Sequence, residues 1–182
     1  RTAVASGADL VGYSGFSAAN YLEQPYSSAL DFGTGDFCVM GWVKYSNGDC
    51  TIIYRGADTT SQSPTNGLNA WVYNNAIKVR FAGLTVSNDA LQSLSANVWC
   101  MVTLVRNGNT FLIYVNGALV YSADSSAIGT ATLAGTGHIL RLGSGHYTTT
   151  GNALALLRIS ATAPTAEQIA KIYNDEKVLF QE

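Results

Sequence analysis

Short apolar runs broken by turn-forming residues recur along this chain, and they are clearest between residues 98 and 121. Trp99-Cys100-Met101-Val102-Thr103-Leu104-Val105-Arg106 and Thr110-Phe111-Leu112-Ile113-Tyr114-Val115 are rich in β-branched and aromatic residues, with Asn107-Gly108-Asn109 between them. Asn116-Gly117 then leads into Ala118-Leu119-Val120-Tyr121. Asn-Gly pairs supply the positive φ angles of tight hairpins, so this stretch predicts a three-stranded meander. Residues 37–45 predict another strand, with Phe37, Val39, Val43 and Tyr45 on one face and Cys38, Met40 and Trp42 on the other. A strand apolar on both faces is central in its sheet or covered by a neighbouring layer. Residues 51–55 are expected to pair with it across a turn at residues 46–49.

Residues 68–73 and 77–81 predict a second hairpin joined at Asn74-Asn75-Ala76. Leu68, Ala70 and Val72 are set against Ile77, Val79 and Phe81 for the core, which leaves Trp71, Tyr73, Lys78 and Arg80 together on the opposite, wet face. Further strands are expected at 138–143 and 153–160 and a short one at 21–23, after an irregular lead-in over residues 1–19 that carries one edge strand. Residues 56–66 read as a long exposed polar loop, 122–137 as a small-residue loop and 144–152 as a Thr/Gly-rich loop. The period then changes. Thr165-Ala166-Glu167-Gln168 is a capping box behind Pro164, and Ile169, Ile172, Tyr173, Leu179 and Phe180 recur near helical spacing. One amphipathic helix is predicted from Ala166 to about Leu179, within a carboxy-terminal segment spanning residues 165–180. Its end, Val178-Leu179-Phe180-Gln181, is similar to a picornavirus protease cleavage tag, but the helical pattern runs into it without a break and it is read as native sequence.

Composition fits this picture. A chain of 182 residues accommodates one all-β domain over residues 1–182, and 12% charged residues against 47% hydrophobic ones leave its polarity to Ser, Thr, Asn and 18 glycines. A net charge of -2 with scattered Lys and Arg offers no footprint for nucleic acid or anionic lipid. No apolar run approaches the roughly 20 residues that span a bilayer, so no membrane insertion is expected. The amino terminus shows no charged segment followed by an apolar one, so no signal peptide is expected, and the start at Arg1 without Met is that of a processed product or a fragment. Three cysteines, Cys38, Cys50 and Cys100, cannot all pair with one another. Cys38 and Cys100 read as buried apolar side chains, whereas Cys50, beside Asp49 after a turn, is expected to be the more exposed.

Candidate chemistry is sparse. Glycoside hydrolysis needs two facing carboxylates, and none of the 12 acidic residues forms an alternating pair within a strand. His138 and His146 lack a partner Cys or carboxylate motif and read as structural. For calcium, loop oxygens from Asp31, Asp36, Asp49 or Asp58 are the candidates, although Asx turns are the plainer account of those residues. Sugar binding needs an exposed aromatic plane with polar groups beside it. Trp71 and Tyr73 beside Lys78 and Arg80 supply one such set, and His146 with Tyr147 a second. Packing of these aromatics under loops or against a partner subunit is the plain alternative. Trp42 and Trp99 are assigned to the core.

The order of elements resembles a known pattern. Residues 30–44 (LDFGTGDFCVMGWVK), 99–106 (WCMVTLVR), 112–120 (LIYVNGALV), 140–143 (LRLG) and 157–160 (LRIS) before a short helix look like the concanavalin A-like, laminin G-type jelly roll. The resemblance implies an all-β, two-sheet antiparallel jelly-roll sandwich with one C-terminal α-helix. Residues 163–180 are similar to versions of this domain in bacteriophage tail and other virion proteins. That implies a non-catalytic recognition or display module on a phage tail or virion surface, with host carbohydrate or other virion subunits as partners and a homo-oligomer as one mode of assembly. A purely structural assembly domain is the first alternative and a glycan-cleaving enzyme the second. Many relatives carry acidic residues where this chain has Ala155-Leu156-Leu157, a departure that weighs against the calcium chemistry of some lectins and pentraxins.

Overall fold

The computed structural model describes residues 2–3, 10–46, 48–57, 61–87, 94–147 and 152–180. In chain order the strands are β1 (Thr2–Ala3), β2 (Val11–Ser14), β3 (Leu22–Gln24), β4 (Phe37–Lys44), β5 (Cys50–Gly56), β6 (Leu68–Tyr73), β7 (Ala76–Phe81), β8 (Leu84–Thr85), β9 (Trp99–Asn107), β10 (Thr110–Val115) and β11 (Ala118–Asp124). Helix α1 (Ser126–Thr130), strands β12 (Ile139–Leu142) and β13 (Ala153–Ser160) and helix α2 (Ala166–Glu176) complete the chain. Among the described residues they form two antiparallel sheets, ordered β1-β2-β13-β4-β9-β10-β11 and β3-β12-β5-β6-β7-β8.

The meander forms where the apolar runs and Asn-Gly pairs predict it. Val115 pairs with Ala118 across Asn116 (φ 51°) and Gly117 (φ 78°), two consecutive left-handed residues whose twist matches that of the strands they join. Strand β4 lies between β9 and β13 within its sheet, and its two faces are covered by separate apolar layers. Phe37, Val39 and Val43 enter the core between the sheets, together with Leu68, Ala70, Val72, Ile77, Val79 and Phe81. Cys38, Met40 and Trp42 face outward into a second apolar layer that α2 closes. Thr165 caps that helix as expected, its hydroxyl accepting from the Gln168 N–H at 3.3 Å while the Gln168 side chain accepts from the Thr165 N–H at 2.9 Å. The α-helix ends at Glu176, and residues 177–179 continue as a 3-10 turn.

Four expectations are corrected. Strand β5 does not pair with β4: it lies in the other sheet, between β12 and β6. Both strands are buried on both faces, a pattern that does not specify which sheet a strand joins, and the chain crosses from one layer to the other after β4. The lead-in carries two strands, β1 and β2. Residues 122–137 are only in part a loop, because β11 runs to Asp124 and Ser125 then caps α1, accepting from the Ile128 N–H at 3.2 Å. Cys50 is buried with the other two cysteines.

Desolvation pushes all three thiols up to about 12. Since the thiolate is the reactive species, the folded protein is expected to stay unlabelled by a chromogenic disulfide reagent at pH 8 and to react at three sites once denatured. Stoichiometric labelling of the native protein within minutes would contradict this burial.

Candidate functional site

The outer face of the six-stranded sheet is built by one hairpin and one loop. Strands β6 and β7 turn at Asn74 (φ 48°) and Asn75 (φ 65°), a two-residue connection that sets Trp71 opposite Lys78 and Asn69 opposite Arg80. The period of two that sends Ala70 and Val79 into the core brings Trp71, Tyr73, Lys78 and Arg80 together on the other side. There the Lys78 ammonium lies 5.5 Å from the Tyr73 ring centre, and the Arg80 guanidinium 5.4 Å from that of Trp71.

The loop after β12 supplies the wall. Gly145 lies against the sheet so closely that a Cβ there would stand 2.9 Å from Cβ of Tyr54 and 3.0 Å from Cγ2 of Thr51. The Thr51 hydroxyl donates to the Tyr147 carbonyl at 2.8 Å, and Gln62 Nε2 donates to the Tyr147 hydroxyl at 2.5 Å. Tyr147 is thereby held with its ring centre 5.5 Å from that of Trp71, and His146 meets Tyr147 edge-on at 4.6 Å. The two aromatic sets read separately from the sequence thus join in a single cleft of about 230 Å³, lined by Gln62, Trp71, Tyr73, Lys78, Arg80 and Tyr147. His146 is exposed behind Tyr147 and is not part of the lining. Gln62 was missed, because a polar residue in a polar loop carries no periodic signal.

Burial revises the roles of these residues. Trp71 is only 2% exposed and Lys78 6%, so the expected wet aromatic plane at Trp71 is instead a floor covered by the loop. Tyr73, at 39%, is the open aromatic surface of the rim. The segment expected to be fully exposed around Gln62 packs on the sheet: Ser61, Gln62 and Ser63 are half-buried, and the Gln62 carbonyl accepts from Asn69 Nδ2 at 2.9 Å.

A family model described as the concanavalin A-like lectin/glucanases superfamily, laminin G type 3, matches residues 16–170. The chain belongs to this superfamily. Solved structures similar to this concanavalin A-like chain include the binding domain of Paraclostridial Mosquitocidal Protein 1, at 12% identity and TM-score 0.67 over 93% of this chain and 46% of that one. The botulinum neurotoxin serotype D ligand-binding domain, in complex with N-acetylneuraminic acid, matches at 16% identity and TM-score 0.66 over 97% and 45%. Trypanosoma rangeli sialidase matches at 11% identity and TM-score 0.64 over 96% and 28%. At these identities the likeness is one of fold, and this chain spans less than half the length of each. No curated protein matches it by sequence.

Among the described residues of this concanavalin A-like domain, the calcium candidates do not come together. The Asp31 carboxylate pairs with Arg55 and accepts from the Tyr26 hydroxyl at 2.8 Å and from the Gly135 N–H at 3.3 Å. Asp36 accepts from the Gly108 N–H at 2.8 Å and so pins the β9–β10 turn. Asp49 is half-buried, and desolvation raises its pKa. Asp58 lies outside the described residues. Among the described residues no three His, Cys, Asp or Glu side chains come together to hold a metal. His138 is buried near the Arg55–Asp31 pair, and desolvation followed by the Arg55 charge lowers its pKa, which keeps the ring neutral.

A larger cleft of about 430 Å³ opens beside α2 over the outer face of the seven-stranded sheet, and Trp42, Trp99, Tyr173 and Phe180 are in its lining. Both tryptophans are buried as expected, but in the outer apolar layer rather than between the sheets. The ring of Trp42 is covered by Phe180, stacked at 4.0 Å and 14°, and its indole N–H is donated to Glu176 at 2.8 Å. Because the chain's own groups already occupy these aromatic faces, the β6–β7 cleft with its open Tyr73 is the stronger candidate for a ligand.

Proposed function

We propose that this chain is a non-catalytic carbohydrate-recognition module whose ligand sits in the β6–β7 cleft. The observation that carries the reading is the convergence of an exposed Tyr73, a half-buried Tyr147 and the side chains of Lys78 and Arg80 around one concavity. A sugar ring presents a C–H face that stacks on an aromatic plane and a rim of hydroxyls that seeks fixed polar groups. The cleft is smaller than the roughly 300 Å³ at which compact ligand pockets begin, which suits one ring of a glycan with the remainder in solvent. Among the described residues lining either cleft there is no carboxylate, whereas cleavage of a glycosidic bond generally requires two. The N-acetylneuraminic acid held by the serotype D domain adds support at the level of the shared fold.

The carrier proposed for the module is a phage tail or virion surface protein, on the strength of the closing segment, residues 163–180. A structural assembly role is the second reading, favoured by the exposed apolar side chains of Val98, Leu119 and Val178. A glycan array separates the two. Wild-type protein is expected to retain a defined set of glycans, and Tyr73→Ala to weaken that binding about tenfold with an unchanged melting temperature. A wild-type protein that binds no glycan yet forms stable oligomers would overturn the recognition reading in favour of assembly.

A further inference from the structure

We infer that the ligand of the β6–β7 cleft is an acidic sugar, one that carries a carboxylate or sulfate group. The inference rests on the carbohydrate reading above and adds the charge of the ring that is bound.

The hydrogen-bonding capacity of the cleft is heavily biased toward donors. The indole Nε1 of Trp71 is buried and makes no hydrogen bond, and an indole can only donate. That donor is closed off beneath the loop, so what a ligand in the cleft meets first is the cations beside it. Arg80 contributes a guanidinium, which also donates only, and the one hydrogen bond seen for it is a long contact of 3.4 Å from Nη1 to the neighbouring Val79 carbonyl. Lys78 adds a third donor-only group. Gln62 has its amide N–H directed to Tyr147, where it serves the wall of the cleft. Among the described lining residues the acceptors are therefore the Gln62 amide oxygen and the two tyrosine hydroxyls.

Placement sharpens the argument. Both cations stand over aromatic faces, Arg80 over Trp71 at 5.4 Å and Lys78 over Tyr73 at 5.5 Å, which holds them in position before a ligand arrives. Lys78 is 6% exposed, and a charge so far removed from water interacts more strongly with an opposite charge than one on an open surface. The concentration is local, because the chain as a whole carries a net charge of -2. A neutral sugar hydroxyl both donates and accepts and makes incomplete use of such a site. A carboxylate or sulfate accepts at every lone pair, and the planar guanidinium matches a carboxylate with two parallel hydrogen bonds.

Titration calorimetry with three probes tests this: lactose, sialyllactose and a sulfated lactose. The acidic probes are expected to bind at least tenfold more tightly than lactose, and their affinity to fall severalfold between 50 and 300 mM NaCl. Preference for the sialylated over the sulfated probe assigns the carboxylate, and the reverse assigns the sulfate. Arg80→Gln is expected to lower acidic-probe affinity about tenfold and lactose affinity by much less, so that the preference for the acidic probes narrows. The melting temperature of the variant reports whether the fold is intact. Equal binding of lactose and the acidic probes, without salt dependence, would overturn the inference and leave carbohydrate recognition standing. Absence of binding to these probes and to a broad neutral glycan array would overturn both.

Discussion

Trp42→Ala is expected to lower stability by about 3–5 kcal/mol, read as a shift in the midpoint of urea unfolding. Trp42 is 3% exposed and bridges two layers of the molecule. Its ring stacks on Phe180 at 4.0 Å and lies 5.8 Å from Tyr173, and its N–H holds Glu176 at 2.8 Å. Glu176 in turn pairs with Arg158 on β13, so one indole joins β4 to α2 and steadies an ion pair beside it. Removing it leaves a void under the helix and frees the carboxy-terminal turn. Limited proteolysis is therefore expected to begin in the carboxy-terminal turn, where the native protein buries Phe180 against Trp42. Trp42→Phe retains an aromatic ring while losing the hydrogen bond to Glu176, and is expected to cost about 1–3 kcal/mol. A loss under about 1 kcal/mol for Trp42→Ala would mean that the helix packs independently of this residue.

Asp31→Ala is expected to cost about 3 kcal/mol, because it strands Arg55, which is 3% exposed, without the carboxylate it pairs with. The Asp31 side chain retains some contact with solvent, so the lower end of the range for buried pairs applies. Its pKa reflects opposing causes. Desolvation alone would raise it, but the Tyr26 hydroxyl, the Gly135 N–H and the Arg55 charge outweigh that effect and hold it below the ordinary carboxylate value. A carboxyl with a depressed pKa in the folded state stabilises fully above its unfolded value of about 3.9, and the contribution is lost as pH falls through the lower folded value. Wild-type protein is thus expected to shed this stability in acid below about pH 4, whereas Asp31→Ala shows a flatter acid limb. Parallel acid limbs for the two proteins would show that Asp31 titrates alike folded and unfolded.

Much of this architecture could be read from local patterns, and the parts that could not have a common cause. Alternation along β4 correctly divides Phe37, Val39 and Val43 from Cys38, Met40 and Trp42, because side-chain direction in a strand is a local property. Which strand lies beside β4 is decided by hydrogen bonds to β9 and β13, which are distant in sequence, so a turn-like segment at residues 46–49 could be mistaken for a hairpin. The same division holds at the cleft. The row of Trp71, Tyr73, Lys78 and Arg80 follows from one hairpin register. Its meeting with Tyr147 depends on the close seat of Gly145 and on hydrogen bonds from Thr51 and Gln62, none of which leaves a periodic trace. The sequence therefore places Trp71 on the outer face of the hairpin but carries no sign of its burial under that loop.

The floor and the wall of the cleft come from different kinds of backbone. The floor is a strand pair whose inner face is the domain core, whereas the wall is a short tether moored by two side-chain bonds. Changes at Gln62 or Tyr147 can therefore remodel which rings are admitted while the sandwich itself stays as it is, and a scaffold divided in this way can be redirected to a new surface at little structural expense.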